Sequence, residues 1–96
     1  VAMAAMTRST EIEKSFSHTR PVGRNFGTAI TDLGITYRGA GENIAWGQKT
    51  PEAVMNAWMN SEGHRANILN PNFKKLGVGY RTNSQGTPYW TQLFTY

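Results

Sequence analysis

Four side chains have the types and the settings that chemistry at a functional site needs: His18, Glu42, Glu62 and His64. Each lies in a polar break flanked by Gly or Pro, beside an apolar stretch, and loops held by a rigid scaffold often carry functional side chains. Two imidazoles and a carboxylate are a suitable ligand set for zinc or another divalent cation. The two histidines are distant in sequence and neither belongs to a local metal motif. The alternative is that each imidazole hydrogen-bonds nearby backbone and fixes its own loop.

Ser61 adds a second kind of chemistry, because it precedes His64 by one helical turn and the two side chains can share a face. A serine nucleophile would need His64 as base and a carboxylate, for which Glu42 is available, to orient the imidazole. The chain has no G-x-S-x-G elbow, however. The simpler interpretation is that Ser61 ends a helix and bonds local backbone.

Glu42 also has a structural interpretation, since it stands between Gly41 and Asn43 at the start of an apolar strand. It can cap backbone amides or form a bidentate pair with Arg65, which would join two loops. Arg20 and Arg24 are expected to be surface cations. Four aromatic side chains are candidates either for the wall of a cleft or, at helical or strand spacing, for the core: Trp46, Trp58, Tyr89 and Trp90.

Composition limits the classes of protein that this chain can represent. Its 96 residues suffice for one domain but not for two separate cores. The absence of cysteine excludes disulfides, thiolate metal ligands and a thiol nucleophile. The formal net charge of +4 comes from scattered basic residues with one adjacent pair, Lys74-Lys75, so no nucleic-acid partner is expected. No apolar stretch approaches the roughly 18 residues that a transmembrane segment requires.

In the first half of the chain, the sequence predicts two helices and two short strands. Apolar spacing from Val1 to Phe16 favours an amphipathic helix with Ser9-Thr10 on or near its polar side. Its apolar residues are Val1, Ala2, Ala5, Met6, Ile12 and Phe16. Residues 25–33 form a plausible short helix that ends at Gly34. "ITYR" (35–38) and "GENIAW" (41–46) are typical of extended strands.

In the second half, the clearest prediction is a helix that Thr50 caps, with Pro51 in its first turn. Its apolar face is expected to comprise Ala53, Val54, Ala57 and Trp58. Residues 60–63 should end it, with one further turn in "HRANIL" (64–69). "KKLGVGYRT" and "TPYWTQLFTY", joined by "NSQG", indicate a β-hairpin. The pattern as a whole predicts an α+β fold with helices packed on an antiparallel sheet.

Five segments in this order resemble the CAP superfamily of cysteine-rich secretory, antigen 5 and pathogenesis-related proteins: "FSHTRP", "GENIAWG", "AWMNSEGHRANILNP", "KKLGVGY" and "YWTQLF". The chain is most similar to the bacterial, cysteine-free, SCP-like branch. The resemblance covers nearly all of residues 1–96, which are expected to form a single CAP domain. It implies an α-β-α sandwich with a small antiparallel sheet between helices, in a secreted or cell-surface protein.

Family members share a cleft lined by two histidines and two acidic residues, and in some members this cleft binds a divalent metal. By motif, the resemblance implies that His18 and His64 are the two histidines and that Glu42 is the first acid. Ser61 stands where many eukaryotic members have the second acid, and Glu62, one residue further on, is the candidate substitute, so both are expected to line the cleft. Asn43 and Arg65 are expected to support the cleft.

The family's usual first helix has no counterpart before Val1. This implies a longer native protein, a processed product, or a partner chain that covers the apolar face which that helix would occupy.

Three functions compete at this point. The first is a binding or interaction module whose His/Glu cleft holds a divalent cation, such as zinc, and whose partner is a protein, a lipid or a cell-surface ligand. The second is a metal-dependent hydrolase of peptide or cell-wall material, with Glu42 as the candidate general base. The third is a purely structural polar network. A shared fold does not choose among them.

Overall fold

A computed structural model describes residues 1–96. Four helices and three strands follow one another along the chain: α1 (Ala2–Lys14), α2 (Thr28–Thr31), β1 (Ala40–Trp46), α3 (Pro51–Met59), α4 (Glu62–Leu69), β2 (Lys75–Thr82) and β3 (Pro88–Thr95). The strands form one antiparallel sheet in the order β1-β3-β2. Helices cover both faces of this sheet, so the predicted α+β sandwich is confirmed. No helix is both long enough and apolar enough to cross a membrane.

Helix α1 packs unusually close to one face of the sheet because β2 has glycine at the contact points. A Cβ atom on Gly77 would overlap the backbone of Val1, and one on Gly79 would overlap the carbonyl of Ala5. Small residues on the helix side complete this close packing. The core on this face joins α1, α2 and β3 through Ala4, Ala5, Ala29, Ile30 and Leu93.

The opposite face of the sheet carries a second core beneath α3. Val54 and Trp58 of this helix pack against Ala45 and Trp90, which lie opposite each other on β1 and β3. The indole Nε1 of Trp58 donates to the carbonyl of Ile44 (3.3 Å). This bond satisfies the one polar atom of a side chain that is otherwise fully packed.

The helix layer on this second face does not cover β2. Side chains alternate along a strand, so Leu76, Val78 and Tyr80 lie on the face opposite α1, and they are 53%, 52% and 42% exposed. The ring of Tyr80 packs against that of Trp90, with ring centroids 4.4 Å apart. The coverage of this apolar face by another helix or by a partner chain stays a prediction.

Several predictions of helix ends and turns are confirmed, because these features depend on residues that are close together in the sequence. The Thr50 hydroxyl accepts from the Ala53 amide (3.1 Å) at the start of α3. Gly34, with φ at +78°, ends the turn after α2, but this helix spans only Thr28–Thr31 and not the predicted residues 25–33. The hairpin joins β2 to β3 across residues 83–87.

Other predictions are wrong, and packing explains each one. Residues 35–38 form no strand. Arg38 and the adjacent Gly39 bond to Tyr96 at the end of the chain, while Ile35 and Tyr37 pack against the α1 core. Ser9 is fully buried rather than on the polar side of α1, because its hydroxyl donates to that of Thr91 on β3 (2.9 Å).

The assignment of apolar faces in the helices also needs correction. Met6 and Phe16 are about half exposed, at 48% and 49%, although the spacing placed them on the apolar side of the first helix. In α3 only Val54 and Trp58 are buried, while Ala53 and Ala57 are exposed. The segment after α3 forms a separate helix, α4, which begins at Glu62 rather than adding one turn from His64.

Candidate functional site

His18 and His64 line the same cavity, of about 400 Å³, although they lie 46 positions apart in the chain. His18 lies in the loop after α1, and His64 lies in the first turns of α4. The aromatic side chains of Phe16, Trp46 and Trp58 line the same cavity. Two polar imidazoles therefore share an open cleft with three aromatic side chains.

The imidazole of His18 is held by a buried carboxylate. Its Nδ1 lies 2.8 Å from Oε1 of Glu42, and the edge of the ring faces Phe26, with centroids 6.1 Å apart. A carboxylate accepts hydrogen bonds, so Nδ1 carries the proton and donates it. The Nε2 atom is then the ring nitrogen with a free lone pair. The side chain is 59% exposed and can present this nitrogen to a ligand.

Glu42 lies beneath the cleft rather than on its wall, because its side chain has no exposed surface. Arg8 holds it through two bonds, from Nε to Oε2 (2.6 Å) and from Nη2 to Oε1 (3.1 Å). The alternative in which Arg65 pairs with Glu42 is wrong. Arg65 is exposed and donates instead to the carbonyl of Met59 (3.3 Å).

Arg8, which holds Glu42, is the residue at this site that sequence reasoning missed. It is fully buried on α1, yet its charge suggested a solvated position. A signal was present in the spacing, because Ala5, Arg8 and Ile12 recur at intervals of three and four residues and therefore share the buried stripe of the helix. A charged residue inside an apolar stripe indicates a buried partner, which here is Glu42.

His64 has a different environment from His18. Its Nδ1 lies 2.9 Å from the hydroxyl of Ser61, the residue that precedes α4. Burial, and secondarily the charge of His18, lowers the pKa of His64 below its usual value of 6.5. The imidazole therefore stays neutral to a lower pH than a free histidine does. A neutral imidazole is the form that binds metals.

Asn43 fixes α4 to the sheet. Its buried amide donates to the backbone carbonyl of His64 (3.1 Å) and to Oε1 of Gln92 (3.1 Å). Its oxygen accepts from Asn67 of α4 (2.9 Å). These three bonds set the position of the backbone that carries His64.

The remaining acid near the motif, Glu62, is exposed in the first turn of α4 and does not line the cavity. No group of three or more His, Cys, Asp or Glu side chains is arranged to hold a metal ion. The donor set of the cleft itself therefore consists of two imidazoles. Each imidazole has its Nδ1 engaged by a protein partner, Glu42 for His18 and Ser61 for His64.

A chain of ion pairs extends from Arg8 to the surface. Glu11 bonds both Arg8 (2.9 Å) and Arg20 (2.8 Å), and Arg20 reaches Asp32 (3.1 Å). The Arg20 side chain is only 10% exposed, so it is not the surface cation that the sequence suggested, whereas Arg24 is half exposed as expected. Burial acts to raise the pKa of Glu11, but hydrogen bonds from Arg20 and Arg8 outweigh it, and the pKa is lowered.

The four aromatic candidates divide between core and cleft. Trp58 and Trp90 are buried, at 3% and 8% exposure, and Trp58 also forms part of the cavity floor. Trp46 is 56% exposed and lines both the cleft and a second cavity of about 210 Å³, which Tyr89 also lines.

Comparison with known proteins identifies the family. The model of the Cysteine-rich secretory protein family, CAP, matches residues 1–94. The chain is 49% identical over 90 residues to the uncharacterized protein YkwD of Bacillus subtilis, covering 94% of this chain and 34% of YkwD. It is 35% identical over 82 residues to the uncharacterized membrane protein YlbC of the same organism, covering 82% of this chain and 21% of YlbC.

Two solved structures resemble this fold closely. An extracellular protein containing a SCP domain from Bacillus anthracis superposes with a TM-score of 0.87 at 34% identity, over 98% of this chain and 30% of that one. An outer surface protein from Borrelia burgdorferi gives a TM-score of 0.84 at 21% identity, over 96% of this chain and 69% of that one, which shows the shared fold alone. The chain spans about a third of the length of YkwD and of the anthracis protein. It belongs to the cysteine-rich secretory protein (CAP) family, as a bacterial SCP-like member.

Proposed function

We propose that this CAP domain is the binding module of a secreted or cell-surface protein, and that its cleft holds a divalent cation between His18 and His64. The observation that carries the proposal is that both imidazoles line one cavity while protein partners engage their Nδ1 atoms. The anthracis neighbour, at 34% identity, supports the location, since it is described as an extracellular protein.

The chemistry of the donors supports zinc or a similar ion. Each Nε2 is left as the free ligand atom, and the lowered pKa of His64 keeps its imidazole unprotonated near neutral pH. A bound cation with two protein ligands supplies open coordination positions for a donor atom of the partner molecule. The aromatic wall formed by Phe16, Trp46 and Trp58 would then contact the apolar part of that partner.

Isothermal titration with zinc tests this proposal. Wild-type protein should bind one equivalent, and His18→Ala and His64→Ala should each weaken binding by about tenfold or more because a ligand is lost. Glu62→Gln is the matched control, since it removes a nearby exposed charge outside the cavity, and it should bind as the wild type does. Equal affinity in the wild type and in the double histidine variant would refute the cation site.

The second candidate is a metal-dependent hydrolase acting on peptide or cell-wall material. The pairing of His18 with Glu42 favours it, since a histidine oriented by a carboxylate is a common proton-transfer unit. Because the Glu42 side chain has no exposed surface, its action as general base would have to pass through His18. Activity on a panel of peptides and wall fragments should disappear in Glu42→Gln while the circular dichroism spectrum is retained. Activity that survives this substitution would exclude Glu42 as the base.

A further inference from the structure

We propose that Arg8 is the positioning residue of the cleft, because one guanidinium fixes both the carboxylate that orients His18 and the backbone segment that carries His18. The inference rests on the proposed function only in assuming that ligands bind in the cleft that His18 and His64 line. The positioning itself is a property of the protein without any ligand.

The contacts of Arg8 converge on the loop after α1. Its Nε and Nη2 atoms hold the two oxygens of Glu42, at 2.6 and 3.1 Å. The same Nη2 donates to the carbonyl of Ser17, the residue before His18 (2.5 Å), and Nη1 donates to Glu11 (2.9 Å). The side chain is 0% exposed, so water does not compete for these bonds.

This arrangement requires an arginine. A guanidinium presents several N–H groups in a rigid plane, and it can therefore hold a carboxylate by two bonds while another bond reaches a backbone carbonyl. A lysine ammonium at the same place keeps the charge but has one donor atom. It would not fix the plane of the Glu42 carboxylate and the Ser17 carbonyl together.

The orientation of Glu42 decides which nitrogen of His18 is free. With Oε2 bound by Nε of Arg8, Oε1 is directed at Nδ1 of His18 (2.8 Å). Nδ1 then carries the proton and Nε2 has the lone pair that a ligand in the cleft would use. If Arg8 only stabilised the fold, the preference of His18 for the Nδ1–H tautomer would not depend on the geometry of the Arg8 guanidinium.

The first test measures the tautomer of His18 from its imidazole ¹⁵N shifts at a pH where the ring is neutral. Wild-type protein should show the Nδ1–H form, and Arg8→Lys should show a mixture of both forms with zinc affinity reduced about tenfold. Arg20→Lys is the control, because Arg20 shares Glu11 with Arg8 but does not contact Glu42, and it should keep the wild-type tautomer. An unchanged tautomer in folded Arg8→Lys would overturn the proposal.

The second test leaves Arg8 intact and does not depend on the stability of its variants. In Glu42→Gln, the amide oxygen should take the Oε2 position, because the bond from Nε of Arg8 there (2.6 Å) is shorter than the bond from Nη2 to Oε1 (3.1 Å), and the amide NH₂ then turns towards His18. Nδ1 must then accept, and the tautomer should invert to Nε2–H. Persistence of Nδ1–H in this variant would show that Arg8 does not set the orientation. The tautomer measurements need no metal. If the wild-type protein does not bind zinc but the tautomer of His18 inverts in Glu42→Gln, the proposed function is refuted and the positioning role of Arg8 is still supported.

Discussion

Oε1 of Glu42 lies 2.8 Å from Nδ1 of His18, and this contact joins the loop after α1 to strand β1 across 24 residues of sequence. Arg8 of α1 holds the carboxylate in place. The geometry of the cleft is therefore tied to the packing of α1 on the sheet. A change in that packing should affect both stability and the orientation of His18.

Gly79→Ala should destabilise the fold, because the added Cβ would overlap the carbonyl of Ala5 and push α1 away from β2. Overpacking of this kind costs about 1–3 kcal/mol in the free energy of unfolding. Urea denaturation measures the change. Gly63→Ala is the matched control, since nothing lies near its Cβ position in α4 and it should gain about 0.5–1 kcal/mol. Equal stability of the two variants would contradict the close packing of α1.

Asn43→Ala should cost about 1–3 kcal/mol, because it leaves buried partners at His64, Asn67 and Gln92 without their hydrogen bonds. The amide signals of α4 should also shift in a ¹⁵N–¹H spectrum. Arg65→Ala, at an exposed position with one 3.3 Å bond, should change stability by less than about 0.5 kcal/mol. If Asn43→Ala were as mild as Arg65→Ala, the amide network would not hold α4 to the sheet.

Acid should destabilise the protein through Glu11 and Asp32. The pKa of Glu11 is lowered from 4.5 by bonds from Arg20 and Arg8 that outweigh burial, and the pKa of Asp32 is lowered from 3.8, mainly by its bond to Arg20. Below these values the unfolded chain binds more protons than the folded one, so the free energy of unfolding falls as pH decreases. Arg20→Gln should flatten this dependence. Lys49→Gln, which removes an exposed charge that forms no ion pair, should leave it unchanged. If the free energy of unfolding depended on pH equally in both variants, the ion pairs of Arg20 would not be the source of the acid sensitivity.

His64 should titrate below pH 6.5 in an NMR experiment, because burial and then the charge of His18 lower its pKa. In His18→Gln the pKa of His64 should rise towards 6.5 without reaching it, since the burial effect remains. This partial rise would show that the two imidazoles are close enough for the charge of one to disfavour protonation of the other. If the pKa of His64 did not change in His18→Gln, the two imidazole rings would be too far apart to act as one site.

The sequence predicted those features that depend on neighbouring residues. Thr50 and Pro51 define the start of α3, and the period-2 pattern around "NSQG" defines the hairpin. Polarity and scarcity selected His18 and His64, but spacing could not show that they meet. Their convergence was implied only by the resemblance to the CAP superfamily.

The predictions that failed depend on long-range packing. The burial of Arg8 and Ser9 follows from partners on β1 and β3 that lie 34 and 82 residues away. The "ITYR" segment has strand-forming residues but no neighbouring strand to pair with. Glu62 is exposed in the first turn of α4 and does not line the cleft, which its position directly after Ser61 in the sequence does not reveal.

The central claim, that His18 and His64 act as one site, is tested most directly by a crystal structure of zinc-soaked protein with anomalous data. We expect a single anomalous peak about 2.0–2.1 Å from Nε2 of both histidines. A peak on one imidazole alone, or none at a zinc concentration that saturates the titration, would contradict the account.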